Sequence, residues 1–278
     1  MKIDITVLAD NTASSSYLAE WGLSILIETE YAKILFDTGR SFTALHNAGL
    51  AGKDFSNLKA IVLSHGHYDH TGGLTGILKK AGEGVNVIAH PSAFNPKYAI
   101  RASGSPPDYI GIPHSKQEIE DLGANLVLTP LPFQIAESIT TTGEIPLISG
   151  FECPDKNLLE IRGANSFPDP FLDDLALVVN SGSGLVVIAG CSHRGIINAV
   201  TQAQKITGEK KIRSVIGGFH LYCATPEQIS STIDALKEMK IELVAAGHCT
   251  GFTACCSLHS ALGDSFSLLK TGAKIHFS

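Results

Sequence analysis

The run Ser64-His65-Gly66-His67-Tyr68-Asp69-His70-Thr71-Gly72-Gly73 follows directly on an apolar stretch at 60–63 and places three histidines and an aspartate within six residues. Extended chain projects alternate side chains to one side, so His65 and His67 on still-extended backbone both reach one cation. Asp69 and His70 then turn onto a neighbouring one. Carboxylate together with imidazole suits zinc, manganese or iron, and two ions ~3.5–4 Å apart would polarise a bond under attack. The bland alternative is a surface or pH-sensing histidine cluster. The strand in front and the glycine pair behind disfavour it, and point to a sheet whose strand end carries the ligands.

The rest of the chain supports a sheet protein. Its 278 residues, 44% hydrophobic and 17% charged with 27 Gly and 12 Pro, have an ordinary globular composition. Strand-like runs alternate with helix-like ones through both halves, which predicts an α/β fold. Strands are expected near 3–8, 23–28, 33–36, 60–63 and 85–89, the first three as antiparallel hairpins, and near 175–179, 185–189, 214–216, 243–246 and 274–277. Helices fit 42–48, with Ser41 as N-cap, and 74–80, 196–205 and 226–239, the last opened by Thr225-Pro226. Two proline-broken stretches, 95–113 with its SGSPPD core and 151–170, follow no period. Loops of that length are expected to overhang the site as lids.

Other features exclude function classes. A formal charge of −6 leaves no basic surplus for a phosphate backbone, so no nucleic-acid partner is expected. The first residues, MKIDITVLAD, are broken by Asp4 and Asp10, and the apolar runs are strand-sized. A cytoplasmic protein without a membrane segment is expected. Six cysteines form no CxxC pair, which reads as reduced thiols.

In the second half, three predicted strands end in histidines: Cys191-Ser192-His193-Arg194-Gly195 after 186–190, Phe219-His220 after 215–218, and His248-Cys249-Thr250-Gly251 after 244–247. Ligands bind at the carboxyl ends of parallel strands, so His193, His220 and His248 become candidates. Cys191 is a thiolate ligand favouring zinc or an inert buried thiol. Because 191–195 joins a strand to a helix, Ser192, Arg194 and the backbone N–H groups near Gly195 form a candidate phosphate cradle. His90, after the strand near 85–89, is a candidate for lining the cleft.

With HGHYDHTGG and Phe36-Asp37-Thr38-Gly39 ahead of it, the chain resembles the metallo-β-lactamase superfamily. The resemblance implies a four-layer αβ/βα sandwich forming one domain over 1–278, with similar halves at roughly 1–150 and 171–278. It implies a dinuclear site, with His65 and His67 on the first metal and Asp69, His70 and His248 on the second. Asp37 would orient the loop, and Cys191 would stand at the bridging position. Two divalent ions are the expected cofactor, zinc ahead of manganese or iron, with Asp69 and His193 as catalytic residues. The usual GHTxG histidine is absent, and Asp169-Pro170-Phe171-Leu172-Asp173-Asp174 stands there instead. An aspartate, His193 or His220 is expected to fill the gap. DNTA, AHPSAF, TGEIP, GCSHRGI, GGFHL and GHCTG further resemble the dihydropterin ribofuranosylaminobenzene phosphate synthase-like subfamily. That resemblance implies a small phosphorylated substrate and pterin transfer with release of pyrophosphate. The site chemistry alone suits hydrolysis of a phosphoester, lactone or thioester equally well, and a non-catalytic metal- and pterin-binding protein is a third reading.

Overall fold

Strands that are apolar at nearly every position must be covered on both faces, and the architecture follows from that. The computed structural model describes residues 1–101, 106–163 and 165–278. Its first large sheet has the strand order Lys274–Phe277, Ile3–Ala9, Ser24–Thr29, Lys33–Phe36, Ala60–Val62, Asn86–Ala89, Asn125–Leu128. The second runs Phe266–Leu268, Leu243–Gly247, Ile212–Gly218, Leu185–Ala189, Ala176–Asn180, Ile139–Thr141, Gln134–Ala136. In both, antiparallel pairing at one side gives way to parallel pairing at the other.

Alternation along each strand decides what it packs against. Ile25 and Ile27 join the core between the sheets, where they meet Val186 and Ile188, while Leu26 turns outward. Leu185, Val187 and Ala189 likewise point away from that core. Helices Thr43–Leu50, Leu74–Ala81 and Lys116–Asp121 cover the first sheet, and Ile196–Thr207, Pro226–Glu238 and Phe252–Leu262 cover the second. This is a four-layer αβ/βα sandwich. No helix among the described residues is long and apolar enough to cross a membrane.

Three details differ from the sequence reading. The sheets do not divide at 150: Gln134–Ala136 and Ile139–Thr141 belong to the second sheet, and Lys274–Phe277 returns to edge the first. Ser41 caps nothing, because its hydroxyl donates to Glu20 Oε2 at 2.5 Å and the helix begins two residues later. The two proline-broken stretches pair with each other. Asn165–Pro168, Leu158–Arg162, Lys97–Ala99 and Asp108–Tyr109 form a small antiparallel sheet whose two- to five-residue strands are too short to show a period. Within the SGSPPD core, residues 103–105 lie outside the described residues.

Candidate metal centre

The chain leaves Ala60–Val62, bends at Ser64–Gly66 instead of staying extended as the spacing predicts, is extended again at His67 and then coils into the short helix Tyr68–Thr71, so the two ligand pairs of the loop face different positions. Asp37 holds the loop from below. Its Oδ1 accepts from the Ser64 backbone N–H at 2.7 Å, while Oδ2 accepts from the Ser64 hydroxyl and pairs with His70 Nδ1, both at 2.7 Å. That contact turns His70 Nε2 toward the site, the usual task of a carboxylate behind a metal-binding imidazole. Asn11, in the DNTA segment, does the same for His248 through Nδ1 at 3.0 Å. Gly66 is required by space, since a Cβ there would lie 1.9 Å from the Ala93 carbonyl oxygen.

Ligand atoms converge in two main groups. His65, His67 and His193 form one, with His65 Nε2 lying 2.9 Å from His67 Nδ1 and 3.3 Å from His193 Nε2. Asp69, His70 and His248 form the other, with the Nε2 atoms of His70 and His248 3.1 Å apart and Asp69 Oδ2 3.6 Å from His248 Nε2. Cys191 Sγ lies 3.2 Å from His70 Nε2 and shares further groups with His65 and His70, with His193 and His220, and with His248 and Cys249. The donor set fits divalent transition ions: imidazole nitrogens crowd together, and His67 Nε2 is buried without a hydrogen-bond partner.

Electrostatics agree with that fit. Burial, and then the neighbouring histidines and Lys97, hold His65, His67 and His193 well below the usual histidine range, so their rings are neutral and their lone pairs free for coordination. Burial also lowers His248. His220 is raised instead, burial being outweighed by Cys249, and so is His70: burial pulls it down, but Asp37 and Asp69 outweigh it and raise it to about 9. That corner stabilises positive charge.

The residues offered for the position without the GHTxG histidine differ in where they lie. His193 joins His65 and His67, whereas the aspartates of 169–174 face elsewhere. Asp169 and Asp173 grip the buried Lys97 ammonium at 2.6 and 3.0 Å, and Asp174 Oδ2 accepts from the Arg194 backbone N–H. His220 shares a group with Cys191 and His193, its ring 4.2 Å from that of His193. Cys249 was not among the expected ligands. The GHCTG motif, in which it follows His248, was the signal available.

The expected phosphate cradle is filled by the protein itself. Glu152 presents both carboxylate oxygens to the opening of helix Ile196–Thr207, accepting from the Ile197 and Asn198 N–H groups at 3.0 Å each. Arg194 donates to the carbonyls of Ile145 and Pro170, and the Ser192 hydroxyl to Gly218. His90 is also spoken for, accepting from Ser92 N–H and pairing with Glu144 at 3.1 Å, outside the cavity lining. Replacing Glu152 with alanine leaves two buried N–H groups unpaired. We expect Glu152→Ala to lose about 1–3 kcal/mol of stability and Glu152→Gln less, with metal content unchanged, as read by denaturant unfolding and elemental analysis.

Above the ligands opens a cavity of about 670 Å³. His67, Asp69, Cys191, His193, His220 and His248 line it from the sheet side. Ala99, Ile100, Arg101 and Ile110 from one irregular stretch, and Asp155, Asn157 and Leu158 from the other, line it as well. Both stretches therefore overhang the ligands, as their length suggested.

The comparisons with known proteins agree with this geometry. Residues 22–248 match the family described as the metallo-beta-lactamase superfamily. The chain is 35% identical over 289 residues, covering 99% of it and 97% of the relative, to the 7,8-dihydropterin-6-methyl-4-(beta-D-ribofuranosyl)-aminobenzene-5'-phosphate synthase of Methanocaldococcus jannaschii. A solved metal-dependent hydrolase of the beta-lactamase superfamily superposes with a TM-score of 0.85 at 30% identity, with 99% of each chain covered. The Zn(2+)-bound PqqB of Methylobacterium extorquens, at 10% identity and a TM-score of 0.58 over 98% of this chain and 99% of that one, shares the fold alone. The fold, the clustered ligand residues and the whole-length similarity place this chain in the metallo-beta-lactamase superfamily.

Proposed function

We propose that this protein is a metal-dependent enzyme that joins a dihydropterin diphosphate to a phosphorylated aminobenzene and releases pyrophosphate. The observation that carries it is the meeting of two ligand groups, His65/His67/His193 and Asp69/His70/His248 with Cys191 between them, on the wall of a cavity roomy enough for a drug-sized substrate. The mixed nitrogen, oxygen and sulfur set suits zinc. Two divalent ions held there would supply the positive charge that a departing diphosphate requires. The chain's own residues do the rest. Asp37 and Asn11 keep His70 and His248 oriented, and Ala99, Ile100, Ile110 and Leu158 on the cavity wall restrict water at the reacting carbon. In the transfer, the bond from the pterin methylene carbon to the diphosphate oxygen breaks, and its electron pair leaves with pyrophosphate. The aminobenzene nitrogen bonds to that carbon and loses a proton. The whole-length similarity to the M. jannaschii synthase supports this reading.

Hydrolysis is the second reading, favoured by the similarity to the solved metal-dependent hydrolase. One assay separates the two. Metal-loaded protein is given the pterin diphosphate with and without the phosphorylated aminobenzene, and pyrophosphate and pterin products are measured. Release that needs the amine and yields the joined product is expected. Equal release without it establishes the hydrolase, and no release in either arm overturns both readings for this substrate.

A further inference from the structure

We propose that the mouth of the cavity is a two-part subsite for a planar heteroaromatic ring bearing phosphate, in which Trp21 and Tyr222 take the ring and Arg40 takes the phosphate. The assignment rests on the phosphorylated-pterin reading above and deepens it. Trp21 and Tyr222 meet edge to face, their ring centres 6.3 Å apart at 82°. Each is also braced against a histidine of the ligand cluster: Trp21 lies 5.7 Å from the His248 ring and Tyr222 lies 5.2 Å from the His220 ring. Both line the cavity, yet 47% and 49% of their surfaces stay exposed. Because the two rings stand at 82°, a flat ligand lying on the half-open face of one meets the other edge to face, and both contacts are favourable. Stacking accepts any ring with a π-face, so it selects shape and leaves charge to another group.

Arg40 is that group. Its guanidinium lies 5.1 Å over the ring of Tyr68, the residue between His67 and Asp69, so it is anchored beside the ligand loop. Among the described residues it makes no ion pair, whereas the other arginine of the cavity, Arg101, is paired with Asp108 at 2.7 Å. The nearby Glu20 carboxylate is taken by the Arg40 and Ser41 backbone N–H groups and the Ser41 hydroxyl. In a chain of net charge −6, an exposed guanidinium at a cavity mouth that makes no ion pair among the described residues is placed to receive an anion, and a guanidinium fork matches two phosphate oxygens. It takes over the part that the helix opening at Ile196 cannot play, because Glu152 occupies it.

Trp21 is the single tryptophan of the chain, so its emission reports directly on the subsite. The metal-loaded protein is titrated, without any amine acceptor, with a pterin phosphate monoester, the unphosphorylated pterin, GMP and ribose 5-phosphate, with calorimetry for variants that lack the tryptophan. Saturable quenching by the pterin phosphate is expected. Trp21→Leu should weaken both pterins by roughly 5- to 100-fold, and Trp21→Phe should restore most of that loss. Arg40→Ala should weaken the pterin phosphate by about tenfold or more and leave the unphosphorylated pterin within about twofold. Metal content equal to wild type shows that the variants are folded. Tight pterin binding that survives both substitutions overturns the subsite and leaves the proposed function standing. Tighter binding of GMP than of the pterin phosphate, lost in the same variants, keeps the subsite and overturns the pterin reading; a wild-type protein that binds no ring compound overturns both.

Discussion

The His65→Ala/His67→Ala protein is expected to fold, to lose the ion held by the first ligand group, and to lose activity by about a thousandfold or more. Two of the three imidazoles of that group disappear, and His193 alone, stacked on Phe171 at 4.0 Å, offers one nitrogen. On the reading proposed above, divalent charge held at the cleft would be worth several kcal/mol to a transition state that sheds an anion, and each ~1.4 kcal/mol is a factor of ten. The fold survives because both side chains sit at the strand end and take no part in the apolar clusters between and outside the sheets. Elemental analysis beside a thermal melt is the check. Metal content equal to wild type in a folded double variant would remove His65 and His67 from the ligand set.

The largest stability effect is expected at Lys97. Its ammonium is wholly buried between Asp169 and Asp173, and although burial disfavours its charge, the two carboxylates outweigh that and raise its pKa. Lys97→Met leaves two carboxylates buried without their cation, which costs about 3–5 kcal/mol. At ~2–4 °C per kcal/mol for a chain of this size, the melting temperature falls by roughly 6–20 °C. The triple variant Lys97→Met/Asp169→Asn/Asp173→Asn removes the charges together and should recover much of that loss. The cluster also reaches the metal centre. Asp173 Oδ2 accepts from the Gly66 N–H at 2.8 Å, and Phe171, whose ring lies 5.3 Å from Lys97 Nζ, stacks on His193. Lys97→Met should therefore weaken metal binding by about 10- to 100-fold, the usual effect of disturbing groups behind the ligands. An unchanged melting temperature would show that the buried triad contributes nothing.

Much of this protein is legible in short stretches of chain. The loop His65–His70 declares its chemistry because four donors fall within six residues, although the backbone bends at Ser64–Gly66, so it is the bend and not period-two projection that brings His65 and His67 together. The strands that end in Cys191, His220 and His248 are legible too, since continuous apolar runs bounded by glycine mark buried strands wherever they occur. Asp37 could be singled out from its FDTG setting, but not its task, which depends on contacts to Ser64 and His70 across 27 and 33 residues.

Other assignments needed the assembled fold. Arg194 beside a helix opening has the local signature of an anion site, yet Glu152, 45 residues from Ile197, already satisfies the N–H groups there. The proline-rich stretches 95–113 and 151–170 lack any period because their strands are short, and they form a sheet only by pairing with each other.

Fold class and the first four ligand candidates are thus written in the chain, because hydrophobic alternation and donor spacing act over a few residues. Which distant groups come to lie beside them is decided by tertiary packing. His193 reaches His65 across 128 residues, Cys191 reaches His70 across 121, and His248 reaches His70 across 178. Those distances exist only once the two sheets close on their shared apolar core and bring their strand ends to one edge, an arrangement that no local pattern encodes.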